Sequence, residues 1–177
     1  MGFEKGLIHI YTGNGKGKTT AAFGLALRAL GQGFKVKIIQ FMKSEKMFNA
    51  YGEVKFFEKN PDIEIMQFGT DNWVDPKNPS KEDIDAALAG LIKAKAVLGG
   101  KTADLVILDE ILYAHKFNLL KQKEIEEIID LKDNSTELVL TGRDAPAFLI
   151  ERADLVTEMK EIKHYFKSRN AVRGIEF

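Results

Sequence analysis

At 177 residues the chain is long enough to bury a core of its own and short enough to be one domain, here taken as 1–177. Its 26 Lys and Arg balance 26 Asp and Glu, so no global charge points to nucleic acid or an anionic membrane as partner. The absence of cysteine excludes disulfides, thiol nucleophiles, Fe–S clusters and Cys-ligated zinc and suits a cytoplasmic protein, and no apolar run approaches the ~18 residues of a membrane span.

In chain order, apolar segments alternate with helix-like ones. Leu7–Tyr11 is a predicted strand and Thr20–Leu30 a helix, ended by Gly31 and Gly33. Val36–Phe41 and Ile63–Phe68 read as strands. Ser80–Leu98 is the clearest helix: Ser80 is its N-cap with Asp83 completing the box, and Ile84, Ala87, Leu88, Leu91 and Ile92 form one apolar stripe. Gly99-Gly100 stops it. A strand over Leu105–Leu108, a helix over Glu124–Leu131 with Ile125, Ile128 and Ile129 inward, and a strand over Leu138–Leu140 follow. A short helix over Pro146–Arg152 and a strand over Leu155–Met159 complete the series. The strands are continuous apolar runs, which predicts an α/β fold with a mostly parallel sheet covered on both faces. Ligands in such folds sit at the carboxyl ends of the strands.

A glycine-rich loop lies at such an end. Ile8 to Tyr11 leads into Thr12-Gly13-Asn14-Gly15-Lys16-Gly17-Lys18-Thr19-Thr20, the order strand, loop, helix that wraps a polyphosphate. Glycines let successive backbone N–H groups approach phosphate oxygens closely. Lys18 is placed to reach the phosphates, and the Thr19 hydroxyl to bind the Mg²⁺ that travels with them. The usual spacing G-x-x-x-x-G-K-[ST] requires glycine where this chain has Thr12.

A second half-site follows. Leu105 to Leu108 runs into Asp109-Glu110, two acids at a strand end that reach a loop-bound Mg²⁺ directly or through water. Thr19 and one of Asp109 or Glu110 are the expected metal ligands, and the residues do not say which acid coordinates. Thr141-Gly142-Arg143 ends the next strand. Arg143 serves either as a bidentate fork for triphosphate oxygens or as a surface arginine paired with Asp144 or Glu151. The loop and acid pair alone also suit a small-molecule kinase or a nucleotide-gated binding module.

The stretch Thr12 to Gly24, then Arg28-Ala29-Leu30-Gly31 and Gln40-Phe41-Met42-Lys43, resembles the ATP:corrinoid adenosyltransferases of the cobalamin pathway. The likeness continues through Asp109-Glu110, Thr141-Gly142-Arg143 and the tail from Lys163-His164-Tyr165-Phe166 to Gly174-Ile175-Glu176-Phe177. Thr12 in place of glycine is how that family's loop is written. The resemblance implies a three-layer, RecA-like P-loop fold. It also implies a reaction in which Co(I) attacks the 5′ carbon of ATP, the adenosyl group moves to cobalt and triphosphate leaves. The nucleotide would lie in the reverse sense to ordinary P-loop enzymes. Lys18, Thr19 and Glu110 would be catalytic, with Glu110 serving Mg²⁺ rather than activating water. Gly13, Asn14, Gly15, Lys16, Gly17, Lys18, Thr19, Thr20, Arg28 and Arg143 would hold the nucleotide.

Further expectations follow from the resemblance. Trp73, the only tryptophan, matches the family's tryptophan in the corrinoid-facing loop, where an aromatic excludes a lower axial ligand from cobalt and eases its reduction. The companion phenylalanine falls on Asp71, so Phe68 is the substitute candidate. Better-known members carry a longer N-terminal helical arm, so the site here is more open or covered by a partner subunit. The substrates are ATP and a corrinoid, either a complete cobalamin or an earlier cobinamide-type intermediate. The partners are a flavoprotein electron donor and a second copy in a homodimer, with no nucleic acid or membrane. His9, inside a strand, reads as structural, while His115 follows the acid pair and could approach the site. No D-x-H-x-x-G pattern offers a cobalt-ligating histidine. The basic tail residues Lys160, Lys163, Lys167, Arg169 and Arg173 read as a solvated face or a surface for corrinoid amides or an acidic reductase.

Overall fold

The computed structural model describes residues 3–44, 46 and 51–176. Six strands, β1 (Ile8–Thr12), β2 (Val36–Phe41), β3 (Ile63–Phe68), β4 (Leu105–Asp109), β5 (Glu137–Thr141) and β6 (Leu155–Glu158), form one sheet in the order β3-β2-β4-β5-β1-β6. Every neighbouring pair is parallel, so the sheet is wholly rather than mostly parallel. Six helices connect them: α1 (Lys18–Gly31), α2 (Gly52–Phe57), α3 (Lys81–Gly99), α4 (Ile111–Lys116), α5 (Gln122–Leu131) and α6 (Ala147–Ile150).

The period of two along a strand divides the apolar runs between two cores. Val106 and Leu108 of β4 join Ile39, Leu138 and Leu140 beneath α3 and α5, whereas Leu105 and Ile107 join Ile38 and Val139 beneath α1. All five residues of β4 are buried, as a central parallel strand between helical layers requires. The result is a three-layer α/β fold.

Ser80 caps α3 as its sequence predicts, with Ser80 and Asp83 exchanging side-chain and backbone hydrogen bonds. The expected stripe fails at Ile92, which is 67% exposed. The inward line passes through Ala87, Leu91, Ala94 and Leu98, and Ile92 lies about 100° round the helix from Leu91. The short helices α2 and α4 have no counterpart in the sequence reading. The strand predicted over Leu155–Met159 ends at Glu158 and is exposed along its whole length. It is an edge strand, and no helix follows it in the described chain to cover its faces.

Candidate active site

The carboxyl ends of β1, β5, β4 and β2 bring the predicted motifs together. Beyond β1 the chain turns sharply at Gly13 (φ 98°) and again at Gly17 (φ 115°), conformations that favour glycine. A Cβ at Gly13 would meet the Met159 carbonyl at 2.5 Å, and one at Gly15 would meet it at 2.7 Å. Both glycines therefore let the loop lie against the end of β6, where Gly15 N–H donates to Met159 O at 2.6 Å and Met159 N–H donates to Thr12 O at 2.8 Å. Gly17 precedes α1 and offers no side-chain cap, and no acid stands in the first turn. The first N–H groups of α1, at the positive end of its dipole, are thus left for an anion. The Lys18 ammonium donates to the carbonyls of Gly13 and Gly15, both at 2.8 Å. Burial lowers its pKa, opposed by Glu110.

Thr12 has its own task. Its buried hydroxyl accepts from Ala145 N–H at 3.1 Å, which ties the segment after β5 to the end of β1. Glycine at that position has no such acceptor. The same segment crosses α4 at Gly142 (φ 142°), where a Cβ would stand 2.6 Å from that of Leu112.

The two acids at the end of β4 have unlike surroundings. Asp109 is fully buried, and each of its oxygens takes two donors. Oδ1 accepts from the hydroxyls of Thr19 (2.9 Å) and Thr141 (2.7 Å); Oδ2 accepts from the Gln40 amide (2.9 Å) and the Lys43 ammonium (2.8 Å). Burial would raise its pKa, but the Lys43 charge and these hydrogen bonds outweigh that and hold it below the usual range. Lys43 shows the converse: burial opposes its charge, and Asp109 more than restores it. Glu110 takes a left-handed conformation (φ 62°) at the start of α4, its backbone N–H donating to the Thr141 hydroxyl at 3.0 Å. Its side chain borders a cavity of about 250 Å³ with Lys18, Lys43, Tyr51, Tyr113 and Arg143, and an adjoining cavity of about 240 Å³ with Thr19 and Lys16. Burial and the neighbouring Asp109 charge raise its pKa.

Arg143 reaches this cavity, its guanidinium 5.8 Å from the centre of the Tyr113 ring. Of its two suggested surface partners, Asp144 pairs with Lys116 instead. Arg143 also borders a wider cleft of about 1030 Å³ beside Asn14, His164 and Phe166. Thr20 lines the smaller loop cavity. Arg28 is not brought to the loop: it is exposed in the last turn of α1, roughly 15 Å along the helix from Lys18. Lys16 reaches the C-terminal tail, donating to Glu176 Oε1 (2.7 Å), Ile175 O (3.0 Å) and the Tyr165 hydroxyl (3.3 Å). The five basic tail residues are exposed, and Phe177 lies outside the described residues.

The loop after β3 lies beside the turn after β2. Met42 N–H donates to Phe68 O at 2.8 Å, and a Cβ on Gly69 would stand 2.4 Å from Lys43 N. Thr70 donates to Asp83 at 2.8 Å, while Asp71 accepts from Ser44 and lies 3.9 Å from the Lys46 ammonium. Trp73 is 85% exposed on this loop. Phe68 packs instead against α3, close enough that a Cβ on Gly90 would stand 3.1 Å from its own. His115 does not face the cavity: its Nδ1 pairs with Leu120 O at 3.0 Å and its ring packs on Phe148. His9 places Nε2 2.6 Å from Glu137, a structural role as expected.

Sequence reasoning assigned no role to Gln40, Tyr51, Tyr113 and Thr141. Gln40 and Thr141 carried a signal, since each is a polar residue that follows an apolar run near the carboxyl end of its strand. Tyr51 and Tyr113 carried none.

Comparisons with known proteins point to one family. The model of a family described as ATP:corrinoid adenosyltransferase BtuR/CobO/CobP matches residues 4–177. The corrinoid adenosyltransferase of Sinorhizobium sp is 38% identical over 178 residues, covering 98% of this chain and 81% of that one. Those of Escherichia coli (strain K12) and Pseudomonas aeruginosa are each 35% identical over 175 residues, covering 98% of this chain and 87% and 85% of theirs. Among solved structures, a KaiC-like protein from Pyrococcus horikoshii OT3 superposes with a TM-score of 0.54 at 17% identity, covering 91% of this chain and 76% of that one. That likeness is one of fold alone.

Proposed function

This chain belongs to the ATP:corrinoid adenosyltransferase family, and on that premise we propose that the cavity beyond β1, β4 and β5 is where ATP gives up its adenosyl group. The 5′-deoxyadenosyl group passes to the Co(I) centre of a corrinoid and triphosphate is released. The observation that carries the assignment is the hydrogen bond from Thr19 to Asp109, which closes the glycine loop onto the acids of β4.

The donor set fits Mg²⁺ arriving with the nucleotide. Among the described residues no three His, Asp or Glu side chains form a resident metal cage. Mg²⁺ bound with a polyphosphate needs only one or two protein oxygens. Asp109 spends both oxygens on four donors, so Glu110, which opens on the cavity, and the Thr19 oxygen are the residues that would hold the ion. A Mg²⁺ held there supplies Lewis-acid neutralisation of the departing polyanion. Asp109 acts through Thr19, fixing its hydroxyl proton and leaving its lone pairs for the ion.

The chain's own groups then have defined work. The loop N–H groups around Gly13, Gly15 and Gly17, the first turn of α1 and Lys18 bind the triphosphate portion and stabilise the charge that develops on it. Arg143 supplies a planar fork from the opposite wall. No general base is required, because the attacking cobalt bears no proton. Trp73, held on a loop pinned at Thr70 and Asp71, presents a flat apolar face to the corrinoid. Its exposure supports that role.

The same reading carries a homodimer, a flavoprotein electron donor met by the exposed basic tail, and a cytoplasmic location; among the described residues no helix is long and apolar enough to cross a membrane. It also carries one domain over residues 1–177.

The test is an anaerobic assay with Mg·ATP and chemically reduced cobalamin, following the cobalt–carbon product by absorbance and the phosphate product by chromatography. Adenosylated corrinoid with stoichiometric triphosphate is expected. Release of ADP and phosphate would make the chain a phosphoryl-transfer enzyme instead.

A further inference from the structure

Lys43 stands at the mouth of this site with no role assigned to it above beyond its pairing with Asp109. Its residue is only 9% exposed, yet it borders both cavities of the loop. An ammonium carries three N–H donors. One is spent on Asp109, and the Tyr51 ring lies 5.1 Å away. The remaining capacity faces the cavity that also receives Lys18 and Glu110.

Its position is fixed before any ligand arrives. Met42, the residue before it, has φ 57° and is tied to Phe68 O, while Gly69 crosses directly over the Lys43 backbone. Asp109 already has three neutral donors from Thr19, Thr141 and Gln40, so a fourth that is charged and costly to bury is more than its hydrogen bonding requires.

Its neighbours indicate which end of the nucleotide it meets. The turn that carries Lys43 is joined to the Trp73 loop at Gly69 and through the Ser44–Asp71 hydrogen bond. The glycine loop and Lys18 lie on the other side of Asp109, across β5 and β4 in the sheet. If Trp73 faces the corrinoid, as proposed above and on which this inference rests, the ribose carbon must come to that side. The phosphate nearest Lys43 is then the α-phosphate.

We propose that Lys43 contacts ATP at its α-phosphate and stabilises the oxygen released when adenosyl transfer breaks the C5′–O bond. The electron pair of Co(I) forms the cobalt–carbon bond. The pair of the C5′–O bond stays on the α-phosphate oxygen, and triphosphate departs with that added charge. Lys43 donates a hydrogen bond to this oxygen and transfers no proton. A preorganised cation where charge appears lowers the barrier more than it tightens ground-state binding.

The experiment compares wild type, K43M and K43R in the anaerobic assay with chemically reduced cobalamin, with calorimetric binding of inorganic triphosphate and thermal unfolding alongside. K43M is expected to lower kcat about 10²-fold with KM for ATP changed less than about threefold. It should weaken triphosphate binding more than ATP binding. K43R should recover most of the rate, since it restores the charge. Retention of kcat within about threefold by K43M overturns the proposal. So does a loss that K43R leaves unrecovered while both variants unfold at lower temperature, which would make Lys43 only a prop for Asp109. Failure of wild type to form adenosylated corrinoid would instead sink the functional reading beneath it.

Discussion

Adjacent carboxylates at the end of one strand are not equivalent, because their surroundings differ. Asp109 is neutralised by Lys43 and saturated with donors, whereas Glu110 faces the cavity with its charge opposed by burial and by Asp109. Glu110→Gln is expected to lower kcat/KM about 10²-fold at neutral pH. The pH dependence has a definite sign. A carboxyl whose pKa is raised is ionised only above that raised value. The acid limb of the wild-type kcat/KM profile, which reports the enzyme before Mg·ATP binds, should therefore lie above the ordinary glutamate value of 4.5. The limb should be absent in Glu110→Gln, and an unchanged limb would assign it to another group. Lys18→Ala removes the ammonium that spans Gly13 O and Gly15 O and that is proposed above to meet phosphate. Turnover should be nearly abolished while the fold, monitored by circular dichroism, persists. Full activity would move the phosphate site elsewhere.

At the scale of elements, the site is an assembly of strand ends and the loops that leave them. Thr12 of β1 anchors the segment after β5, Gly142 lets that segment pass close over α4, and Gly69 lets the loop after β3 cross the turn after β2. The Trp73 loop is therefore joined to the candidate site through backbone contact at Lys43, although Trp73 itself is solvent-exposed. Trp73→Ala removes a flat apolar surface from a loop that Thr70 and Asp71 continue to hold. It should impair reduction of corrinoid-bound Co(II), followed spectroscopically with a defined reductant, far more than it weakens ATP binding. Equal damage to both would make Trp73 a packing residue for the loop. Phe68 packs on α3, while Asp71 accepts from Ser44.

Across the whole molecule, the last residues return to the first loop. Lys16 joins Tyr165, Ile175 and Glu176, closing one side of the loop cavity with the chain's C-terminal tail. The Lys16 ammonium and hydrogen bonds from Tyr165 and Val172 hold the Glu176 pKa down to about 2. Because its carboxylate pKa is depressed, this contact is fully present above the ordinary glutamate value of 4.5 and is lost as pH falls through about 2. Acid in the physiological range should leave the tail in place. Salt should loosen it, because the pair is exposed and screened. Trypsin cleavage after Lys167, Arg169 or Arg173 is expected to quicken between low and high salt, and Glu176→Gln should reproduce that at low salt. Cleavage insensitive to both would mean that other contacts hold the tail.

The order of the strands and of the helices other than α2 and α4, the glycine loop, the acid pair and the Ser80 cap follow from local chemistry, so they were legible along the chain. Continuous apolar runs demand a sheet covered on both faces, glycine at Gly13 and Gly17 permits the loop's backbone, and a serine three residues before Asp83 completes its own cap. Relations between distant segments have no local signature. That Lys43 reaches Asp109, that Arg28 stands a helix length from the loop, that Ile92 faces solvent and that Phe68 is taken by α3 depend on which strand ends meet and how closely. Sheet order and the crossings at Gly69 and Gly142 set those distances. The composition of the site was thus written locally, while the division of labour within it arose only when four strand ends were packed side by side.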